Sequence, residues 1–180
     1  FPCYMNVIPL FIMINRDMRK TYKGKYKLKR PEKYMGDRNN VVYRSLWERN
    51  TFRFLEKRPW VKWWNSEGTI IRYVCSTDRK IHRYFVDLTI RTVSGDTYLV
   101  EIKPLSQTKP PKRKNLKEAL TYMKNTSKWD AARKFCDDRP GYKFLIWTER
   151  ELETMGIKTM TYKFKFSKTK VGKSLKKRYK

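Results

Sequence analysis

The chain has 180 residues, enough for one domain with a real hydrophobic core. It carries 44 Lys and Arg against 17 Asp and Glu, a net charge of +27, with 39% hydrophobic and 15% aromatic residues. The apolar share excludes a disordered chain, and no run reaches the ~20 apolar residues of a membrane-spanning helix. The charge far exceeds the roughly 2–8 that keeps a small domain soluble, and calls for a polyanionic partner, most simply nucleic acid.

The first stretch, FPCYMNVIPLFIMI, is apolar but short and broken by Pro2 and Pro9. It lacks the basic segment and small-residue cleavage site of a signal peptide. Met18 is a candidate start, which makes residues 1–17 an upstream extension with no assigned role. From Arg19 to Arg38 lysines alternate with tyrosines, and Gly24, Pro31 and Gly36 discourage a helix. This part reads as a basic arm lying on a surface or on a phosphate backbone.

Tyr43 to Pro59 reads as a helix capped by Ser45 and stopped by Pro59. WVKWWNSEG, residues 60–68, reads as a turn of the chain, and TIIRYVC, 69–75, as a strand. A turn at Thr77-Asp78 leads into KIHRYFVDLTIRTV, residues 80–93, and then into a hairpin ending at Pro104. Residues 104–115 form a Pro- and Lys-rich loop. Leu116 to Gly141 is helical, in two pieces broken near Asn125–Ser127. YKFLIWT, 142–148, is a further strand and ERELETMG, 149–156, a short helix. The tail from Lys158 to Lys180 has ten Lys/Arg in 23 residues and no acid, and its early part, TMTYKFKF, alternates as a strand does. This order describes a mixed α/β domain around one central sheet.

Cys3, Cys75 and Cys136 are widely spaced, none forms a C-x-x-C pair, and His82 is the sole histidine. That argues against a structural zinc site and for reduced cysteines in a cytosolic protein.

The hairpin YFVDLTIRTVSGDTYLVEIKP is mostly apolar, yet Asp87, Glu101 and Lys103 interrupt it. Glu101 and Lys103 share one strand face by alternation. A two-residue loop at Gly95-Asp96 puts Asp87 and Glu101 on opposite faces. A three-residue loop, Ser94-Gly95-Asp96, pairs Thr89 with Glu101 and Asp87 with Lys103, so that all three charges share a face. A surface ion-pair ladder is the plain alternative. In the first helix Glu48, Phe52 and Leu55 fall at helical spacing, which sets Glu48 on a largely apolar face. Ser45-x-x-Glu48 is also a capping-box spacing, and both roles stay open.

An acid before a hairpin, then Asp87, then Glu101-Ile102-Lys103, resembles the PD-(D/E)XK nuclease superfamily, with Val86 where a proline is usual. More closely, YRSLWE, KWWNSEGTIIRY, HRYFVDLTI, EIKPLSQTKPP and KWDAARKFC resemble the head-completion nucleases of T-even-like phages. Those in turn are similar to the N-terminal domain of TnsA-type transposon endonucleases. The resemblance implies a restriction-endonuclease-like core, a central mixed β-sheet flanked by α-helices, over residues 18–157, followed by a basic tail, 158–180.

It implies further that Asp87, Glu101, the Ile102 carbonyl and Glu48 hold Mg²⁺ or Mn²⁺. Hard oxygen donors suit such an ion, which acidifies water and neutralises phosphate charge. Lys103 would orient or deprotonate the attacking water and stabilise the phosphorane. Glu67, His82 and Gln107 are further candidates, His82 with a structural role as its plain alternative. Arg44, Arg83, Lys112, Arg113 and Lys114 would contact DNA. The expected function is a metal-dependent DNA endonuclease of phage head completion, trimming packaged ends and helping to close the head–neck. Its partners would be DNA and phage head or portal–neck proteins, with no membrane, in the host cytoplasm and then in the virion. The alternatives are a non-catalytic neck or DNA-end-binding protein, and a transposon-type endonuclease.

Overall fold

Runs rich in Val, Ile, Thr and aromatic residues form the strands, and Gly-, Asn- and Asp-containing turns separate them. The computed structural model describes residues 22–111 and 115–159. Within these, β1 (Gly24–Lys25) pairs with β2 (Val42–Tyr43) and leads to α1 (Leu46–Lys57). There follow β3 (Val61–Ser66), β4 (Ile70–Val74), β5 (Ile81–Phe85), β6 (Leu88–Thr92) and β7 (Thr97–Ile102). The chain then forms α2 (Leu116–Asp137), β8 (Tyr142–Trp147) and α3 (Glu149–Thr154).

The central sheet has the order β3-β6-β7-β8, antiparallel except for the parallel pair β7–β8. A parallel neighbour needs a long crossover, and α2 supplies it. Side chains alternate along β7, so Val100 and Ile102 pack to one side with Phe52 and Leu55 of α1, and with Trp64, Leu88 and Ile90. Leu99 points to the other side, among Ile71, Tyr73, Tyr84, Val86 and Ala132 and Cys136 of α2. Each fully buried large side chain contributes about 1.5–3 kcal/mol. The result is an α/β restriction-endonuclease-like fold, with the mixed sheet between helices.

Several expectations are corrected here. WVKWWNSEG is not a turn: Val61–Ser66 is a strand of the central sheet, because Val61 and Trp64 are buried and anchor it in the core. The first strand of the hairpin does not start at Tyr84: Ile81–Phe85 belongs to a separate strand, and a bend at Val86-Asp87 precedes Leu88–Thr92. The helix from Leu116 is not broken near Asn125–Ser127 and runs unbroken to Asp137. Thr126 and Ser127 donate their hydroxyls to the carbonyls of Tyr122 and Met123 one turn back, so neither competes for the helical backbone.

The basic segment is no loose arm over residues 22–38. Tyr26 and Tyr34 are buried against Trp64, and the Tyr26 hydroxyl donates to Glu56 at 2.6 Å. Glu56 is 2% exposed and also accepts the backbone N–H groups of Lys29 and Arg30. This buried carboxylate pins the basic segment to α1. Of the tryptophans, Trp64 and Trp129 are buried as core, whereas Trp60 is exposed. The strand expected in TMTYKFKF beyond Thr159, the extension of residues 1–17, and Lys112, Arg113 and Lys114 lie outside the described residues.

Candidate active site

The hairpin β6–β7 has a three-residue loop, but one position earlier than expected. Arg91 pairs with Thr97, and the Thr92 N–H donates to the Asp96 carbonyl at 2.9 Å. The loop is therefore Val93-Ser94-Gly95, with Gly95 at φ +96°, a conformation glycine adopts without a Cβ clash. Moving the loop by one residue preserves the alternation but changes the partners. Thr89 faces Leu99 rather than Glu101, and Leu88 faces Val100, which brings Asp87 beside Glu101 rather than opposite Lys103.

The three charges do converge. Asp87 Oδ2 accepts the Ile102 backbone N–H at 2.8 Å. Lys103 Nζ lies 2.9 Å from Glu101 Oε1, and the Tyr84 hydroxyl donates to Glu101 Oε2 at 2.6 Å. Glu101 is 1% exposed, so both its oxygens are committed inside the protein. Burial and the charge of Glu101 push the Asp87 carboxyl up to about 7, against the opposing pull of Lys103 and the Ile102 N–H, with Glu48 adding to the rise. Burial alone would lower the Lys103 ammonium; Asp87, Glu101 and Glu48 together outweigh that and hold it above its ordinary value.

Glu48 takes the capping role that its spacing allows. Its N–H donates to Ser45 Oγ at 3.1 Å, while its carboxylate accepts from Ser45 Oγ at 2.9 Å and from the Arg44 N–H at 2.7 Å. It is thus the acid of a capping arrangement at the start of α1. It also feels Lys103 across the site, and burial raises its carboxyl above the usual range.

Between the central sheet and the outer hairpin β4–β5 the strand ladder carries one extra residue. Ser66 pairs with Leu88 and Ile70 with Phe85, so three residues on one strand span two on the other. This bulge bends the ribbon beside Asp87, whose carbonyl accepts the Glu67 N–H at 3.4 Å. Glu67 holds φ +55°, a left-handed conformation that a side chain rarely adopts. Gly68 follows it because a Cβ there would strike the Asn65 side chain. The bulge turns the Glu67 carboxylate onto Arg44, in a paired contact of 2.7 and 3.0 Å, near enough to Glu48 to raise it further.

Not every candidate joins this group. Arg44 is held by Glu67 in that two-bond contact. His82 lies on the outer hairpin, its Nε2 2.9 Å from Asp78 Oδ2, in a small cluster with Cys75 at the hairpin tip. Asp78 is already used there by the Lys80 N–H, which with His82 lowers its carboxyl. Gln107 is exposed on a short 3-10 turn, Leu105–Gln107, beyond Lys103. Arg83 is exposed on β5 with its guanidinium 5.6 Å from the Phe85 ring centre. Sequence reasoning missed Tyr84. A tyrosine three residues before an acid gives no signal until the pairing of β6 with β7 shows that it reaches the acid of the other strand.

Three carboxylates therefore face one lysine, with Asp87 driven toward its neutral form for want of a second positive charge. The three carboxylates do not gather within 4.8 Å of one another as Cys75, Asp78 and His82 do. Their hard oxygens nonetheless suit a divalent cation by chemistry, and a cation there would be compensated by the acids and would release Asp87 from its neighbours' repulsion.

Residues 58–149 match the TnsA-like endonuclease N-terminal family, and this span holds Glu67, Asp87, Glu101 and Lys103. The chain belongs to that family of DNA-hydrolysing enzymes. It is 38% identical over 147 residues to the head completion nuclease of Enterobacteria phage T4, a match covering 76% of this chain and 97% of that protein. No solved structure matches the chain significantly.

Proposed function

We propose that the protein is a divalent-metal-dependent DNA endonuclease of phage head completion, which trims packaged DNA ends and takes part in closing the head–neck. The observation that carries the catalytic part is the convergence of Asp87, Glu101 and Lys103 at one end of β6–β7, with Glu48 entering from α1. The head-completion part rests on the likeness to the phage T4 nuclease over nearly that protein's whole length.

Asp87 and Glu101 would hold the ion, with the Ile102 carbonyl and Glu48 completing its protein donors. When bound, Mg²⁺ or Mn²⁺ acidifies a water and withdraws charge from the scissile phosphate. The Ile102 N–H fixes one oxygen of Asp87, leaving the other free to face the ion. Tyr84 fixes Oε2 of Glu101, and the ion would share Oε1 with Lys103, which lies 2.9 Å from it. Lys103, kept charged by the acids, places a positive charge where the attacking water and the phosphorane oxygens develop negative charge. Basic residues exposed around the site read phosphate rather than base edges, so cleavage would show low sequence preference.

The assembly role is tested with heads matured in the absence of this protein. Purified wild-type chain should render them competent to join tails, and Asp87→Ala should not. Equal restoration by both would remove cleavage from the assembly role.

A further inference from the structure

The outer hairpin β4–β5 shows two unlike faces. Its inner face, with Ile71, Tyr73 and Tyr84, is buried against α2. Its outer face presents three directly opposed pairs: Ile70 with Phe85, Arg72 with Arg83, and Val74 with Ile81. The four apolar members are 47%, 42%, 62% and 72% exposed in the order Ile70, Phe85, Val74, Ile81. Both arginines are exposed, none of the six is acidic, and Arg79 and Lys80 continue the positive charge at the tip.

This pattern works against folding by itself. Like charges directly opposite each other on a sheet repel, and an apolar row left in water gains nothing from burial. Both disadvantages vanish on a surface that supplies negative charge in the middle and apolar area on either side. Double-stranded DNA does so: phosphates neutralise the arginines, while sugars and thymine methyl groups meet the flanking aliphatic and aromatic side chains. A two-stranded ribbon is also of a width that the major groove admits. The hairpin is continuous with the catalytic strands, since Phe85 precedes Asp87 by two residues and the bulge at Glu67 sets the angle between them. At about 3.3 Å per residue, Arg83 lies roughly 13 Å along the chain from Asp87, within the reach of one bound duplex.

We propose that the outer face of β4–β5 is a duplex-DNA-docking ribbon that lies in the major groove, with Arg72 and Arg83 as paired phosphate contacts and Ile70, Val74, Ile81 and Phe85 as apolar contacts. The inference rests on the reading of this protein as a DNA enzyme, and deepens it by naming the surface that holds the duplex beside the acids.

The test is equilibrium binding of a labelled linear duplex to the full chain in EDTA, so that binding is read without cleavage, across a salt series. Arg72→Gln/Arg83→Gln should weaken binding about tenfold and reduce the slope of log affinity against log salt by about 2. Arg72→Lys/Arg83→Lys should keep the slope. Lys62→Gln/Lys143→Gln, at the opposite end of the sheet from Asp87, should stay within about twofold of wild type and leave the slope unchanged, since only charges that contact phosphate release counterions. Val74→Ser/Ile81→Ser should weaken binding with the slope unchanged, the mark of a non-ionic contact. Equal losses in the arginine pair and the lysine control would overturn the proposal. So would a Val74→Ser/Ile81→Ser variant that changes oligomeric state in ultracentrifugation while binding DNA as wild type does, since the face would then contact protein. Failure of wild type to cleave in any metal would sink the nuclease reading alone and leave the binding result standing.

Discussion

The hydroxyl of Tyr84 on the outer hairpin donates to Glu101 Oε2 on the central sheet at 2.6 Å, with Lys103 Nζ 2.9 Å from the other oxygen. Glu101 is thereby held from two directions before any cation arrives. Tyr84→Phe removes one of these without opening a cavity. Partners of metal-holding groups typically contribute about 10–100-fold to affinity or activity. Cleavage by Tyr84→Phe should fall by that factor, with a rightward shift in the Mg²⁺ concentration needed, read from metal titrations of the rate.

Lys103→Ala should lower the cleavage rate by about 10²–10³-fold, the usual loss when a charge aimed at the transition state is removed. DNA affinity in EDTA should change little. The same substitution leaves Glu101 buried without its cation, which costs about 3–5 kcal/mol in the metal-free protein. Thermal melts should therefore show Lys103→Ala gaining more from added Mn²⁺ than wild type does.

Asp87 gives the pH dependence a definite sign. Its carboxyl is moved from 3.8 to about 7 by burial and the neighbouring acids, so the folded state holds a proton that the unfolded chain releases. Metal-free stability should fall as pH rises across that window, and Asp87→Asn should remove most of the fall, a difference of about 1–3 kcal/mol at its largest. Activity should run the other way. At limiting metal the rate should climb as pH passes 7, and saturating metal should move the inflection downward, because binding favours the ionised carboxylate.

Glu67 sits at φ +55° in the bulge beside Asp87. Left-handed backbone costs a non-glycine residue about 1–2 kcal/mol. Glu67→Gly should therefore melt no lower than wild type, even without the exposed pair to Arg44, yet cleave more slowly. Glu67→Val should lose about 1–2 kcal/mol, since a branched side chain fits this conformation worst. Urea melts beside cleavage rates separate the two effects.

What could be read from the residues was set by alternation and by local caps. Alternation placed Glu101 and Lys103 on one face, and a three-residue loop added Asp87; the one-residue error in where that loop lies left the shared face intact while changing every partner. Ser45 and Glu48 announced their cap by spacing. What escaped were relationships made only by tertiary packing. Glu56, deep beneath the basic segment, holds Tyr26 and two backbone N–H groups, so a run of lysines that reads as an arm lying on a surface or on a phosphate backbone is fixed to α1. WVKWWNSEG contains Asn, Ser and Gly and reads as a turn, but Val61–Ser66 within it is recruited into the sheet by the burial of Val61 and Trp64. The strained bulge at Glu67 was equally silent, because nothing in a Glu-Gly pair states which of the two takes the left-handed conformation.

The most direct test is cleavage of linear and branched DNA by the purified chain in Mg²⁺ or Mn²⁺, beside Asp87→Ala and an EDTA control. Wild type should cut, EDTA should abolish cutting, and Asp87→Ala should bind DNA without cutting it. Binding by both proteins with no cut in any metal, or equal cutting by Asp87→Ala, would contradict the assignment of Asp87, Glu101 and Lys103 as a metal-dependent nuclease centre.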